Sequence, residues 1–229
     1  MPGNKLTLLV PNLWVFDQPH KFLGIEIGTR MTIVRLGTGD LFLHSPIQLT
    51  GGTRKLLDAL GTVRYVVAPN RFHHLYIKDF FSAYPKAEIY AAPSLQKKRP
   101  DLSFNGVLTD EKTYGWQDEL KHAVFGGMPI LNEVVFFHIP SHTLILTDLI
   151  CNFRGDLPIS TKIFVWLDGV YQNFAVPRVE RYLLIRDREQ AKSSINKILS
   201  WKFDRVIMAH GHIMQRGGHP AIKKAFEWL

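Results

Sequence analysis

The sequence predicts an α/β (α+β) protein in which two mixed β/α halves stack through their sheets. Three observations carry this. Two β-rich runs, residues 31–36 and 41–46, flank the turn Gly37-Thr38-Gly39-Asp40, the pattern of a hairpin. A nearly continuous apolar run at 63–68 is followed by Ile77, Phe80, Phe81 and Tyr84 at helical spacing. Late in the chain an apolar helical stripe (Ala191, Ile195, Ile198, Leu199, Phe203) leads into a buried-strand pattern at 205–209. Each sheet then has one face to bury against its twin, which favours stacking over separate domains.

Taken in order, the first third reads as β. A helix begun near Thr53 is closed by Gly61, with Leu56, Leu57 and Leu60 on one side. The strand at 63–68 stops at Pro69, the helix after it stops at Pro85, and a short strand at 87–92 stops at Pro93. Residues 133–139 and 143–148 read as paired strands around Pro140-Ser141. Asp187 with Gln190 three residues on makes a capping box for the late helix. A short helix over 221–229 ends the chain.

Composition excludes several classes. The chain has 229 residues, 46% hydrophobic and 21% charged, which sets it apart from disordered and fibrous sequences. Cys151 is the single cysteine, so no disulfide within the chain and no cysteine-rich zinc site is available. Any bound metal must draw on the 10 histidines and the carboxylates. The net charge of +8 favours anionic partners, and 11 Lys/Arg against 5 Asp/Glu lie between Arg178 and Leu229. No run of about 18 apolar residues is free of charge, and the stretch before Pro11 is too short for a signal peptide. A cytoplasmic protein without a membrane partner is expected.

Three strand ends carry possible metal ligands: His73-His74 after the 63–68 strand, Asp148 after the 143–147 run, and His210-Gly211-His212 after the 205–209 strand. Neutral imidazole with carboxylate suits zinc, iron or manganese, whereas magnesium and calcium prefer all-oxygen ligation. Gly211 lets backbone approach closely beside His210. Each residue also has a structural reading. His73-His74 can open a helix, Asp148 can cap the turn at Leu149, and His210 can be a satisfied core histidine. Their recurrence at successive strand exits is what favours a shared cluster. Weaker candidates are His44 at a strand end, Asn70, Glu133, His138 and His142 as supporting partners, and Lys97-Lys98-Arg99 as an anion-recruiting loop. Cys151 has no base beside it in sequence and makes a poor nucleophile.

The strand–helix pattern, the apolar strand ending in Asp148 and the run Val206-Ile207-Met208-Ala209-His210-Gly211 resemble the metallo-β-lactamase superfamily. The runs at 70–74, 98–102 and 146–149 are similar to an uncharacterised bacterial branch of it. The resemblance implies a single domain over 1–229 with a four-layer αβ/βα sandwich, two mixed β-sheets flanked by helices, and a metal cleft along the sheet edges. The superfamily motif Thr-His-x-His-x-Asp-His, laid on residues 68–74, puts His74 on its last histidine and His73 on its aspartate. Pro69 and Arg71 then stand where the motif has histidines. Asp148 falls on the bridging aspartate and His210 on the final histidine, while Gly127-Met128-Pro129 lies near the missing intermediate histidine. The three-histidine half of a dinuclear centre cannot form with Pro69 and Arg71, and an inward Arg71 would repel a cation.

The expected function is therefore a metal-dependent hydrolase of an ester, amide or phosphoester, with an incomplete, mononuclear site. Its metal ligands are drawn from His73, His74, Asp148, His210 and His212, with Asp148 and His73 as catalytic candidates. One divalent ion is implied, zinc first, with iron or manganese as alternatives, and a small, anionic substrate. Two other readings stand beside it: a fold that has lost its chemistry and binds a ligand or partner, and nucleic-acid binding through the basic residues of 178–224. Oligomeric state is not fixed by any of these residues.

Overall fold

The computed structural model describes residues 4–229. Strands β1 (Lys5–Val10), β2 (Leu13–Gln18), β5 (Thr29–Arg35) and β6 (Asp40–His44) pair antiparallel in succession. β6 then pairs parallel with β7 (Thr62–Ala68), followed by β8 (Glu88–Ala91) and β9 (Gly106–Val107), which makes a seven-stranded sheet ordered β1-β2-β5-β6-β7-β8-β9. The second sheet is ordered β10 (Leu120–Val124), β11 (Val134–His138), β12 (Thr143–Ile145), β13 (Arg205–Ile207); only its last pair is parallel. A two-stranded hairpin, β3 (Lys21–Phe22) and β4 (Ile25–Glu26), projects between β2 and β5.

The parallel pairs require crossovers, and the crossovers are the helices. Helix α1 (Gly51–Leu60) joins β6 to β7, and α2 (Ile77–Ala83) with the short α3 (Leu95–Lys98) cover the same face. Helix α1 begins two residues before Thr53 because Thr50 is its cap: the Thr50 hydroxyl accepts from the Thr53 N–H at 3.1 Å. On the other side α5 (Arg188–Leu199) feeds β13 and α6 (Gly218–Ala225) follows it. The Asp187–Gln190 box forms, with the Gln190 N–H donating to the Asp187 carboxylate at 3.0 Å and its side-chain amide at 2.8 Å.

Three apolar layers hold these elements. Leu57, Ile77, Phe80 and Leu95 pack on one face of the first sheet through Val66, Met31 and Ile33. Ile195, Ile198, Ile222 and Phe226 pack on the outer face of the second through Val135, Leu144 and Val206. Between the sheets, Val67, Phe42 and Val34 meet Phe136, Ile145 and Ile207 around the buried Trp116. Val66 and Val67 thus serve opposite layers, as the two-residue period of a strand buried on both faces demands. The result is the four-layer αβ/βα sandwich, two mixed sheets flanked by helices. Helix α4 (Ile159–Leu167), for which the sequence assigns no element, closes a small satellite core of Cys151, Phe153 and Val170.

Candidate metal centre

The first ligand loop is shaped by Asn70, fully buried at the end of β7. Its side-chain oxygen accepts from the N–H groups of Phe72 and His73, each at 2.8 Å, so the chain turns at once and delivers the His73 ring inward. Its amide donates to Asp148 Oδ2 at 2.7 Å and to the Thr147 hydroxyl at 2.9 Å. Asn70 therefore ties the first loop to the second.

Glu133, also fully buried, fixes the second loop from below. Its carboxylate accepts from the backbone N–H of Thr147 (2.7 Å), Asp148 (2.8 Å) and Leu149 (3.2 Å). Burial and the nearby Asp148 charge push its pKa up to about 6, against the N–H groups of Thr147 and Asp148, which favour the anion. Burial would also raise Asp148, but His73 and His210 outweigh it and hold Asp148 well below the usual carboxylate range. In turn Asp148 overcomes the burial of His73 and raises that imidazole.

The third loop brings His210. Its Nδ1–H donates to the Gly28 carbonyl at 2.7 Å, which leaves the Nε2 lone pair facing the cluster. Gly211 follows at φ +81°, and a Cβ there would overlap the Asn152 carbonyl oxygen. Glycine is required by that close approach. On the facing side, His73 Nδ1 lies 2.8 Å from the Ser45 hydroxyl, a partner that fixes the ring plane.

These supports converge three atoms. His73 Nε2, His210 Nε2 and Asp148 Oδ1 are each 3.2 Å from the other two. Two imidazole lone pairs and a carboxylate oxygen at this separation repel unless a proton or a cation lies among them. Donor atoms bonded at about 2.0–2.2 Å to a tetrahedral cation sit about 3.3–3.6 Å apart, so a slight spreading puts the three atoms on three corners of one such shell. Nitrogen and carboxylate donors are the set that zinc, iron or manganese accepts.

The other candidates lie elsewhere. His74 points the opposite way from His73 along the turned chain; its Nδ1 sits 3.1 Å from an Arg99 nitrogen, and burial, then Lys98 and Arg99, push it down to about 4. His212 is exposed and lines a cavity of about 550 Å³ with Arg30 and Arg154, beside the Gly28 and Gly211 backbone that flanks His210 but without the three donor side chains in its wall. Arg71 turns outward and donates to the carbonyls of Pro129 (3.2 Å) and Ile130 (3.3 Å), so it does not repel a cation at the cluster. Cys151 is buried, and burial followed by the charges of Glu180 and Asp148 raises its pKa well above normal, which disfavours the thiolate. His142 donates to the Lys202 carbonyl at 2.8 Å. Sequence reasoning missed Ser45, Gly28 and His20. The last stands near the cluster, its pKa lowered by burial, then by His210 and His73. Serine and glycine in loops carry no periodic signal, and only pairing across distant strands gives them a role.

His138 and His44 are buried histidines of a different kind. Burial pushes His138 down to about 4; for His44, burial followed by the His73 charge gives about 3. The unfolded chain takes up these protons near pH 6.5, whereas the folded chain resists until far lower pH. Stability is therefore unaffected by these groups above pH 6.5 and falls as pH drops below it, by about 1.4 kcal/mol per pH unit for each. Urea midpoints at pH 7 and pH 5 should differ in this direction, and His138→Gln should flatten the dependence by one proton. An unchanged pH slope in that variant would remove His138 from the account.

Comparison with known proteins agrees with this architecture. A metallo-β-lactamase from Pontibacter korlensis superposes over 97% of this chain and 98% of its own, with a TM-score of 0.67 at 12% identity. The mono-zinc form of the metallo-β-lactamase FIM-1 from Pseudomonas aeruginosa covers 98% of this chain and 95% of its own (TM-score 0.66, 13% identity). A metallo-β-lactamase from Hirschia baltica covers 97% and 96% (TM-score 0.63, 13% identity). The fold is that of the metallo-β-lactamases. No curated protein matches the sequence. The family model of a domain of unknown function, DUF4336, matches residues 11–168, a span that includes Asn70, His73, Glu133 and Asp148, and the chain belongs to that family.

Proposed function

We propose that this protein is a metal-dependent hydrolase holding a single divalent cation on His73, Asp148 and His210. The observation that carries this is the triangle of three donor atoms at 3.2 Å, each ring backed by its own partner. A cation bound there supplies Lewis acidity, polarising a carbonyl or phosphoryl oxygen and acidifying water towards neutrality. The chain's own residues provide the rest. Asn70 donates to Asp148 Oδ2, which orients the carboxylate with Oδ1 towards the two rings. Gly28 and Ser45 fix the planes of the two rings. Glu133 and Asn70 keep the Asp148 loop in place while charge redistributes at the reacting centre. The substrate is a small ester, amide or phosphoester, and the net charge of +8 favours an anionic one.

Metal content is the direct test. Protein purified and incubated with zinc, manganese or iron should bind about one equivalent by elemental analysis, with zinc retained best. His73→Ala, Asp148→Ala and His210→Ala should each lower the affinity by at least about 100-fold, whereas His74→Ala and His212→Ala should not change it. Full retention in the first three variants would leave the proposal falsified. One feature favours a second reading, a scaffold that binds without catalysis: a protonated His73 closes the same triangle through its ion pair with Asp148. Absence of binding for all three metals would select that reading.

A further inference from the structure

We infer that the outer face of α4, together with the turn that follows Val179, is a docking platform for a bilayer surface rich in anionic lipids. Helix α4 buries Thr161 and Val165. Ile159, Ile163, Trp166 and Leu167 recur at i, i+4, i+7 and i+8 on the side away from the core, each more than half exposed. An ordinary surface helix carries charge at such positions. Lys162 is the single charged residue of α4.

The apolar surface continues past the helix. The π-helical turn Glu180–Leu184, closed by the Ile185 N–H on the Glu180 carbonyl at 2.9 Å, exposes Tyr182 and Leu183 beside Val179. It is bound to the end of α4: the Arg178 N–H donates to the Asp168 carbonyl at 2.9 Å, and the Val179 N–H to the Asp168 carboxylate at 3.0 Å. On the other flank, the Thr161 hydroxyl donates to the Glu26 carbonyl at 2.8 Å and anchors the β3–β4 hairpin, whose turn exposes Phe22 and Leu23. Four such side chains on α4 and three on the turn, each at least 43% exposed, put an unusual amount of apolar surface on these two joined segments.

Charge decides the occupant. Lys162 on α4, Arg178, which donates to the Leu167 carbonyl at 2.9 Å, and the exposed Arg186 just past the turn bring cations to this surface, while the Arg181 guanidinium lies over the rings of Tyr182 and Trp228. Two acids stand against them, Asp168, whose carboxylate also accepts from the Val179 N–H, and Glu180, whose carboxyl is tucked in with one oxygen buried, so cations remain in excess. Lys21 and Glu26 offset each other on the hairpin, as do Arg154 and Asp156 ahead of α4. A second copy across a two-fold axis would set these cations against themselves. An anionic bilayer offers phosphates to the rim, headgroup depth to Trp166 and Tyr182, and hydrocarbon to the isoleucines and leucines. No membrane partner is expected from the sequence because it holds no spanning segment, and among the described residues no helix is long and apolar enough to cross a membrane. Docking on the surface needs none.

Flotation of the whole chain with vesicles tests this without reference to metal or activity. Phosphatidylcholine vesicles carrying about a third phosphatidylglycerol should float the protein, and pure phosphatidylcholine should do so at least about tenfold less well. The double variant Trp166→Ser, Leu183→Ser should lose binding by at least about tenfold with its circular dichroism unchanged, and Lys162→Glu with Arg186→Glu should weaken it in a salt-dependent way. Absence of flotation at low salt, or flotation undiminished in the serine variant, overturns the inference. A dimer in sedimentation that the serine variant makes monomeric overturns it too, and assigns the face to a second copy.

Discussion

Glu133→Ala is expected to destabilise the folded protein by about 3–5 kcal/mol, the cost of removing one partner from a buried charged network. Three backbone N–H groups, those of Thr147, Asp148 and Leu149, lose their acceptor in a place that water does not reach. The Asn70 amide loses a more distant contact at 3.3 Å. For a chain of this length each kcal/mol moves the melting temperature by about 2–4 °C, so a fall of about 10 °C should appear in calorimetry. Glu133→Gln keeps the volume but points an amide donor at those same N–H groups, and it should recover less than half of the loss. A melting temperature within about a degree of wild type for Glu133→Ala would contradict the assigned role.

Gly211→Ala is expected to disable the metal centre while leaving most of the fold. The residue sits at φ +81°, where a side chain is strained by about 1–3 kcal/mol, and its Cβ would overlap the backbone of Asn152. Relief requires the His210 loop to move, yet the His210 ring is pinned by the Gly28 carbonyl at 2.7 Å. Misplacing one of three donor atoms should cost about 10–100-fold in metal affinity, measured by competition with a chromogenic chelator. The substitution should leave α5 intact, because it packs on the outer face of the second sheet. Retained affinity together with a wild-type melting temperature would show that the loop accommodates the methyl group.

Much of this site was legible before any coordinates. Ligand-bearing residues follow apolar runs, at 73, 148 and 210; Pro69 marks the first exit and Gly211 the third, while the exit at Asp148 carries neither proline nor glycine. The choice between neighbours was not legible. His73 and His74 are equivalent in composition and in their distance from the strand. The Asn70 side chain separates them by capping two successive N–H groups, so that one ring turns to Asp148 and the other to Arg99. His210 and His212 are separated in the same manner by the approach of Gly211 to Asn152. The motif positions held by Pro69 and Arg71 rule out a three-histidine site in the sequence already. Only the structure reveals that Arg71 faces the Pro129 and Ile130 carbonyls and leaves the remaining donors undisturbed.

What the sequence determines by itself is periodicity: strands buried on both faces, helices with one apolar stripe, and caps such as the Asp187–Gln190 box are local patterns, fixed by neighbours within a few residues. Helix α4 escaped because its apolar residues run around the whole cylinder, which leaves no polar face to define a period. The tertiary structure alone decides which ring nitrogen has a free lone pair and which carboxylate oxygen is left open. Those depend on Gly28, Ser45 and Asn70, distant in sequence from the groups they orient. A hydrogen bond acts over about 3 Å in space and carries no trace along the chain.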